Sequence, residues 1–129
     1  MGRPSELFES TPNSGGYYET QESYYQDGQR DTLTLPWTPV ITYNVNALGE
    51  VTAVSAASGQ NPATSATYNA AGQLLSLTYG SGDGAGYGYD PKTGRMSQYQ
   101  FTLNGQTDTG TLGWNADSTL ASLDITDDI

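Results

Sequence analysis

The chain of 129 residues contains no cysteine and no histidine. It has four cationic side chains, Arg3, Arg30, Lys92 and Arg95, against 14 aspartates and glutamates. Without cysteine there can be neither a disulfide framework nor a thiolate metal site. Without histidine as well, Ser-His-Asp and Cys-His catalysis and imidazole-ligated metals are excluded. A net charge of −10 speaks against nucleic acid and anionic membranes, whose phosphates require a basic footprint. Long apolar runs are missing too. The start, Met1 to Ser10, lacks the apolar stretch of a secretory signal peptide, and no run approaches the roughly 18 residues of a membrane-spanning helix. No compartment follows from these absences.

Large aliphatic residues are scarce. Three Ile, 11 Leu, 4 Val and 2 Phe make 20 of 129 residues, below the fifth of the chain that marks a packable globule. With the acidic balance, that count alone would read as disorder. Ten Tyr, 2 Trp and 11 Ala argue the other way, because rings bring large area to half-buried sheets and alanine fills the tight spaces between them. A thin, tyrosine-rich sheet with a modest core is expected.

What the chain has in abundance is a returning phrase: an aromatic or apolar residue, Asn or Asp, a small-residue turn, then a short apolar strand. It reads Val45-Asn46-Ala47-Leu48-Gly49-Glu50-Val51, Tyr68-Asn69-Ala70-Ala71-Gly72-Gln73-Leu74, Tyr89-Asp90-Pro91-Lys92-Thr93-Gly94-Arg95-Met96 and Trp114-Asn115-Ala116-Asp117-Ser118-Thr119-Leu120. Repeats of this length signal solenoids, propellers or arrays. Tyr24-Tyr25-Gln26-Asp27-Gly28-Gln29-Arg30, followed by Thr32-Leu33-Thr34-Leu35, reads as a fifth, degenerate copy.

Strands are predicted on both sides of each turn: Ile41 to Tyr43, Thr64 to Tyr68, Gly86 to Tyr89 and Thr111 to Trp114 leading in, and Val51 to Val54, Leu74 to Tyr79, Met96 to Leu103 and Leu120 to Thr126 leading out. Leu75, Leu77 and Tyr79 fall on one face of a strand, as do Tyr99, Phe101 and Leu103; this period of two, without a sustained 3.6 pattern, excludes most helical architectures. Asn104-Gly105 is a strong hairpin signal, because a type I′ turn needs positive φ at both central residues. The glycine-rich stretch 80–86 and the stretch 55–62 read as longer links. The fold class expected is all-β: an antiparallel meander of consecutive β-hairpins forming a curved, open sheet. Residues 1–23, rich in Ser, Glu, Thr, Gln and Gly, read as a flexible N-terminal arm that does not match the repeat, and 24–129 as four to five hairpin repeats. Pro36, Trp37 and Pro39 mark a break in pairing.

The copies ATYNAAGQLLSLTYGSG and YGYDPKTGRMSQYQF resemble the tyrosine-aspartate repeats of the Rhs and YD-repeat family, whose phrase is Tyr-Asp-x-x-Gly-Arg before an apolar strand. The match spans residues 24–129 and is best at Tyr89-Asp90 with Gly94-Arg95. Tyr68-Asn69 and Trp114-Asn115 depart from the Tyr-Asp pair, Val45 from the aromatic, and Ser118 stands where glycine is expected. The resemblance implies a bacterial polymorphic-toxin shell or a surface scaffold: long arrays wind into a hollow β-cage around a toxic domain, or form part of the teneurin adhesion ectodomain. Proteins of this type are secreted or on the cell surface. Four or five repeats, at about two strands each and about 4.8 Å between strands, make a ribbon on the order of 40 Å wide. That is a patch of shell, so a fragment or remnant of a larger protein is implied.

The motif residues Tyr68, Asn69, Gly72, Tyr89, Asp90, Gly94, Arg95, Trp114 and Asn115 carry structural roles in this reading: ring packing over a neighbouring hairpin, carboxylate or amide bonds to turn amides, and positive φ at glycine. No catalytic, cofactor or metal residues are assigned. Carboxylate pairs for glycoside chemistry would have to converge across a cleft, and Asp83, Asp90, Asp108, Asp117 and Asp124 fall in turns or at strand ends. The 80–86 stretch lacks the Gly-Lys-Ser/Thr ending of a phosphate loop. Asp83 and the terminal Asp124, Asp127 and Asp128 lack the spacing of an EF-hand or calcium roll. The expected partners are further YD repeats, or a second copy through the sheet edges. A carbohydrate- or protein-binding role through rings among Tyr17, Tyr18, Tyr24, Tyr25, Tyr43 and Trp37 is the alternative, favoured if three or more lie coplanar and exposed.

Overall fold

The computed structural model describes residues 3–9, 18–36 and 40–129, with Tyr18 described by its backbone. Tyr17, Trp37 and Pro39 lie outside the described residues. The described chain is all-β and forms two compact units, 1–62 and 63–129.

The first unit is a meander of β1 (Glu6–Glu9), β2 (Tyr18–Tyr24), β3 (Arg30–Thr34), β4 (Ile41–Val45) and β5 (Val51–Ala56), each antiparallel to the next. The second contains β6 (Ala63–Tyr68), β7 (Leu74–Tyr79), β8 (Gly84–Tyr89), β9 (Met96–Leu103), β10 (Gln106–Trp114) and β11 (Leu120–Asp127), paired in the same sequential way. Within each unit every strand is paired with its neighbour in sequence, and β1 and β11 each pair on one side. The open antiparallel meander expected from period-two patterning is what forms.

Two strands fall where composition suggested an arm. β1 pairs with β2 in register Glu6↔Gln21 to Glu9↔Tyr18, and β2 runs to Tyr24. The link at 80–86 also differs from expectation. Tyr79 N–H donates to the Asp83 carbonyl and Gly82 N–H to the Tyr79 carbonyl, with Gly82 at φ 93°, so the connection is a tight turn and Gly84 and Gly86 belong to β8. Alternate glycines let β8 lie bare on one face while Ala85, Tyr87 and Tyr89 occupy the other.

The second unit is two-faced. Cross-strand partners Ala66↔Leu77, Leu77↔Ala85 and Ala85↔Phe101 form an apolar row, and Thr67↔Ser76, Ser76↔Gly86 and Gly86↔Gln100 form a polar row on the opposite face. Ala66 and Ala85, at 9% and 6% exposure, are the buried apolar residues among those described. Both are small because they sit beneath the larger side chains of adjacent strands. Tyr99 and Phe101 stack at 5.3 Å with their planes tilted 38°, and Tyr87 meets Phe101 edge-on at 6.5 Å. Aromatic contact within one layer replaces the interior that a thicker domain would have.

Candidate functional site

In each unit, one edge of the strand meander is built from the repeated turns. Five of them share a backbone pattern. Tyr25, Asn46, Asn69 and Asn115 each donate an N–H to the carbonyl four residues on, and Asp90, in a turn one residue longer, to that of Arg95. The residue at the left-handed position, Gly28, Gly49, Gly72, Gly94 or Ser118, donates back to the first residue's carbonyl. Its φ lies between 69° and 88° in all five. Glycine takes this conformation without penalty, whereas Ser118 does so at a steric cost. Immediately beyond each turn the register slips by one residue, at Ser23/Tyr24, Asn44/Val45, Thr67/Tyr68, Gly88/Tyr89 and Gly113/Trp114. Each repeat therefore carries a bulge whose extra residue, Asp31, Thr52, Leu75, Ser97 or Ala121, lies on the outgoing strand opposite the aromatic or valine, which increases local twist.

The Asn and Asp residues hold the turns from inside. Asn69 Oδ1 accepts the amides of Ala71 and Gln73 at 2.9 and 3.0 Å, and its Nδ2 donates to Gln73 Oε1. Asn46 does the same with Leu48, Glu50 and the Glu50 carboxylate. Asp90 Oδ1 accepts from Lys92 and Thr93, both at 2.8 Å, and these backbone donors hold its carboxyl below the usual carboxylate range. At Asn115 the work is divided: Nδ2 donates to Thr119 Oγ1, while Asp117 takes the Thr119 amide and hydroxyl, which lowers the Asp117 carboxyl.

Successive turns are also joined to one another. The Tyr89 hydroxyl donates to the Leu74 carbonyl at 2.9 Å and the Trp114 indole N–H to the Met96 carbonyl at 2.7 Å. Both acceptors are the second residue after the left-handed position of the preceding turn. The residue just before each acceptor reaches forward: Gln73 Nε2 donates to the Gly94 carbonyl at 2.8 Å, and Arg95 donates to the Asn115 carbonyl and to Ser118 Oγ at 3.0 and 2.6 Å. In the first unit Gln29 lies against Gly49 in the same manner. Tyr68, Asn69, Gly72, Tyr89, Asp90, Gly94, Arg95, Trp114 and Asn115 are thus placed along this edge. The forward reach of the residue after the glycine is invisible in the sequence, because its partner lies about 20 residues away and is mostly backbone.

A cleft between adjacent turns is lined by Asn69, Gln73, Leu75, Tyr89, Asp90 and Gly94. Its polar groups are those already bonded within the ladder. Among the described residues no cluster of three or more acidic side chains is arranged to hold a metal ion.

No family model matches the chain, and no curated protein is similar to it in sequence. Solved structures are similar in fold. The TcdB2-TccC3-Cdc42 crystal structure superposes over 88% of this chain with a TM-score of 0.77 at 18% identity, and TcdB2-TccC3 without its hypervariable C-terminal region over 87% with 0.74 at 19%. This chain spans about 6% of those chains. Over the superposed residues its fold is that of a segment of TcdB2-TccC3, which agrees with the fold implied by the Rhs and YD-repeat family that its turn phrases resemble.

Proposed function

We propose that this chain is a non-enzymatic structural segment of an Rhs/YD-type β-shell or surface scaffold, a fragment or remnant of a larger repeat protein. The observation that carries this reading is the turn ladder, in which Asn46, Asn69 and Asp90 bond the backbone amides of their own turns and Tyr89 and Trp114 bond the backbone beyond the preceding turn. Groups committed in this way hold a sheet together and are not free for chemistry. Of the rings named for sugar stacking, Tyr17, the Tyr18 side chain and Trp37 lie outside the described residues, while the Tyr24 and Tyr25 hydroxyls donate to the Pro4 and Tyr43 carbonyls at 3.1 and 2.8 Å and the Arg30 guanidinium lies 5.9 Å from the centre of the Tyr43 ring, contacts that support scaffold over sugar stacking. An open sheet with few buried side chains leaves edges that pair with further strands. Far-UV circular dichroism with size-exclusion chromatography and light scattering tests this. A β-rich chain that self-associates with rising concentration is expected, and a compact, strongly cooperative monomer would count against it.

A further inference from the structure

The opposite edge of the second unit carries two further turns, and one bond joins them. Between β7 and β8, Tyr79 N–H donates to the Asp83 carbonyl, and the Ser81 hydroxyl donates to Asp83 Oδ2 at 2.8 Å. Between β9 and β10 the chain reverses at Asn104-Gly105, with φ 52° and 82°, and the strands pair again at Leu103↔Gln106. Positive φ at both central residues is the type I′ hairpin. Asp83 Oδ1 accepts the Asn104 backbone amide at 2.9 Å, so a single carboxylate ties the two turns together. The Asn104 side chain takes no part in this. It is exposed, and among the described residues no hydrogen bond engages its amide group.

That freedom sets Asn104 apart from the other described asparagines. Asn46 and Asn69 have Oδ1 and Nδ2 bonded inside their turns, and Asn115 bonds the Thr119 hydroxyl through Nδ2. Asn61 Oδ1 accepts the Ala56 amide, and the residue that follows, Pro62, has no N–H. Asn44 precedes Val45, whose branched Cβ crowds the nitrogen between them. Asn104 is followed by glycine, and a Cβ on Gly105 would meet nothing within 4 Å. The Gly105 nitrogen is therefore free of side-chain bulk, and the neighbouring side-chain carbonyl is free to turn onto it. We propose that Asn104-Gly105 is a site of spontaneous deamidation, and that its conversion undoes the link between the two turns. The Gly105 nitrogen, giving up its proton, attacks Asn104 Cγ; the Cγ–Nδ2 bond breaks and ammonia leaves with that proton. Water then opens the cyclic imide at either carbonyl to give aspartate or isoaspartate, with one water consumed, one ammonia released and nothing oxidised or reduced. Both products put a new carboxylate on the residue that is bonded to Asp83. Isoaspartate also routes the backbone through Cβ and Cγ, which lengthens a turn whose two residues span the gap between paired strands.

The test holds the full chain at neutral pH, with and without urea, and maps every asparagine by mass spectrometry, with enzymatic methylation marking isoaspartate. In the folded chain, acid is expected at Asn104 at least tenfold faster than at Asn46, Asn69 or Asn115. Urea frees those three side chains from their turns, so the ratio should fall at least threefold on unfolding, whereas a preference set by sequence alone would leave it unchanged. As conversion proceeds, amide exchange at residues 79–83 and 103–107 should quicken at least threefold. Asn104→Gly keeps a pair that the type I′ turn accepts, and its exchange in those residues should not change with age. The proposal is overturned by a folded chain in which Asn104 stays an amide while the unfolded chain converts, by a ratio that is the same in both, or by conversion that leaves exchange in both turns as it was.

Discussion

The hydroxyl of Tyr89 donates to the carbonyl of Leu74, 15 residues earlier and one hairpin away, at 2.9 Å. The bond joins the aromatic that opens one turn to the strand that leaves the previous turn. Trp114 with Met96 and Tyr24 with Pro4 repeat it using an indole N–H and a second phenol. What recurs is therefore a donor at the tip of a ring. Tyr and Trp meet that requirement and Phe does not, although all three serve equally as apolar strand residues.

Tyr89→Phe should then lower stability by about 0.5–1.5 kcal/mol, the net worth of one part-buried hydrogen bond, while leaving the ring in place. Urea denaturation followed by circular dichroism measures it. Tyr24→Phe should show its effect locally, as faster amide exchange in residues 5–9. No change in either would mean that the rings act by packing alone.

Ser118 and Arg95 form the second test. Ser118 holds φ 73° without being glycine, and its Oγ accepts from Arg95 at 2.6 Å. Ser118→Gly should relieve roughly 1 kcal/mol of backbone strain and lose the acceptor, giving a small net change. Arg95→Ala should cost less in the Ser118→Gly background than in the natural chain. The double-mutant cycle isolates that coupling, expected at about 0.5 kcal/mol or more. Additivity would show that the Asn115 carbonyl alone holds the guanidinium.

The turns could be read from the sequence because their chemistry is local: Asn69 bonds to Ala71 and Gln73, and Gly72 needs positive φ, all within five residues. The strands followed from alternation, as at Tyr99, Phe101 and Leu103, whereas Leu75 is the extra residue of the bulge opposite Tyr68 and breaks the alternation expected with Leu77 and Tyr79. The residues that link one turn to the next did not stand out, because Gln73 and Arg95 resemble ordinary surface residues until a turn some 20 residues away supplies the acceptor. β1 was hidden for a related reason. A composition of Ser, Glu and Pro outweighs a four-residue strand whose partner, β2, begins nine residues later. The turn at Tyr79 to Asp83 was masked by its glycines, which suggest looseness although just Gly82, at φ 93°, uses that freedom in the turn.

Two glycines of the second unit, Gly86 in β8 and Gly110 in β10, should respond oppositely to the same substitution. A Cβ on Gly110 would collide with the Tyr99 ring, which lies directly over it, whereas a Cβ on Gly86 meets nothing within 4 Å. Glycine is a poor strand residue, so Gly86→Ala should be neutral or stabilising by up to about 1 kcal/mol. Gly110→Ala should destabilise by about 1–3 kcal/mol, because the ring must leave its place beside Phe101. Thermal unfolding midpoints of the two variants decide it. Matching shifts would mean that Tyr99 moves aside freely.

The acid response follows from Asp90. Its carboxyl is held below the usual carboxylate range first by the Thr93 amide, then by that of Lys92. A carboxyl depressed in the folded state contributes stability that is present above its unfolded value, near pH 4, and is lost as pH falls through the folded value. Asp90→Asn keeps an oxygen acceptor for the two amides, as Asn46 and Asn69 already do in their own turns, but cannot take up a proton. The variant should fold into the same sheet, lie slightly below the natural chain in stability at pH 7, and lose less than the natural chain between pH 5 and pH 2. Asp83 and Asp117 are depressed for the same kind of reason and will contribute acid sensitivity in both proteins, so the measurement is the difference between the two urea midpoints at each pH. A difference that stays constant with pH would show that Asp90 stays equally charged in the folded and unfolded chains, and that its turn is held by geometry and not by the carboxylate.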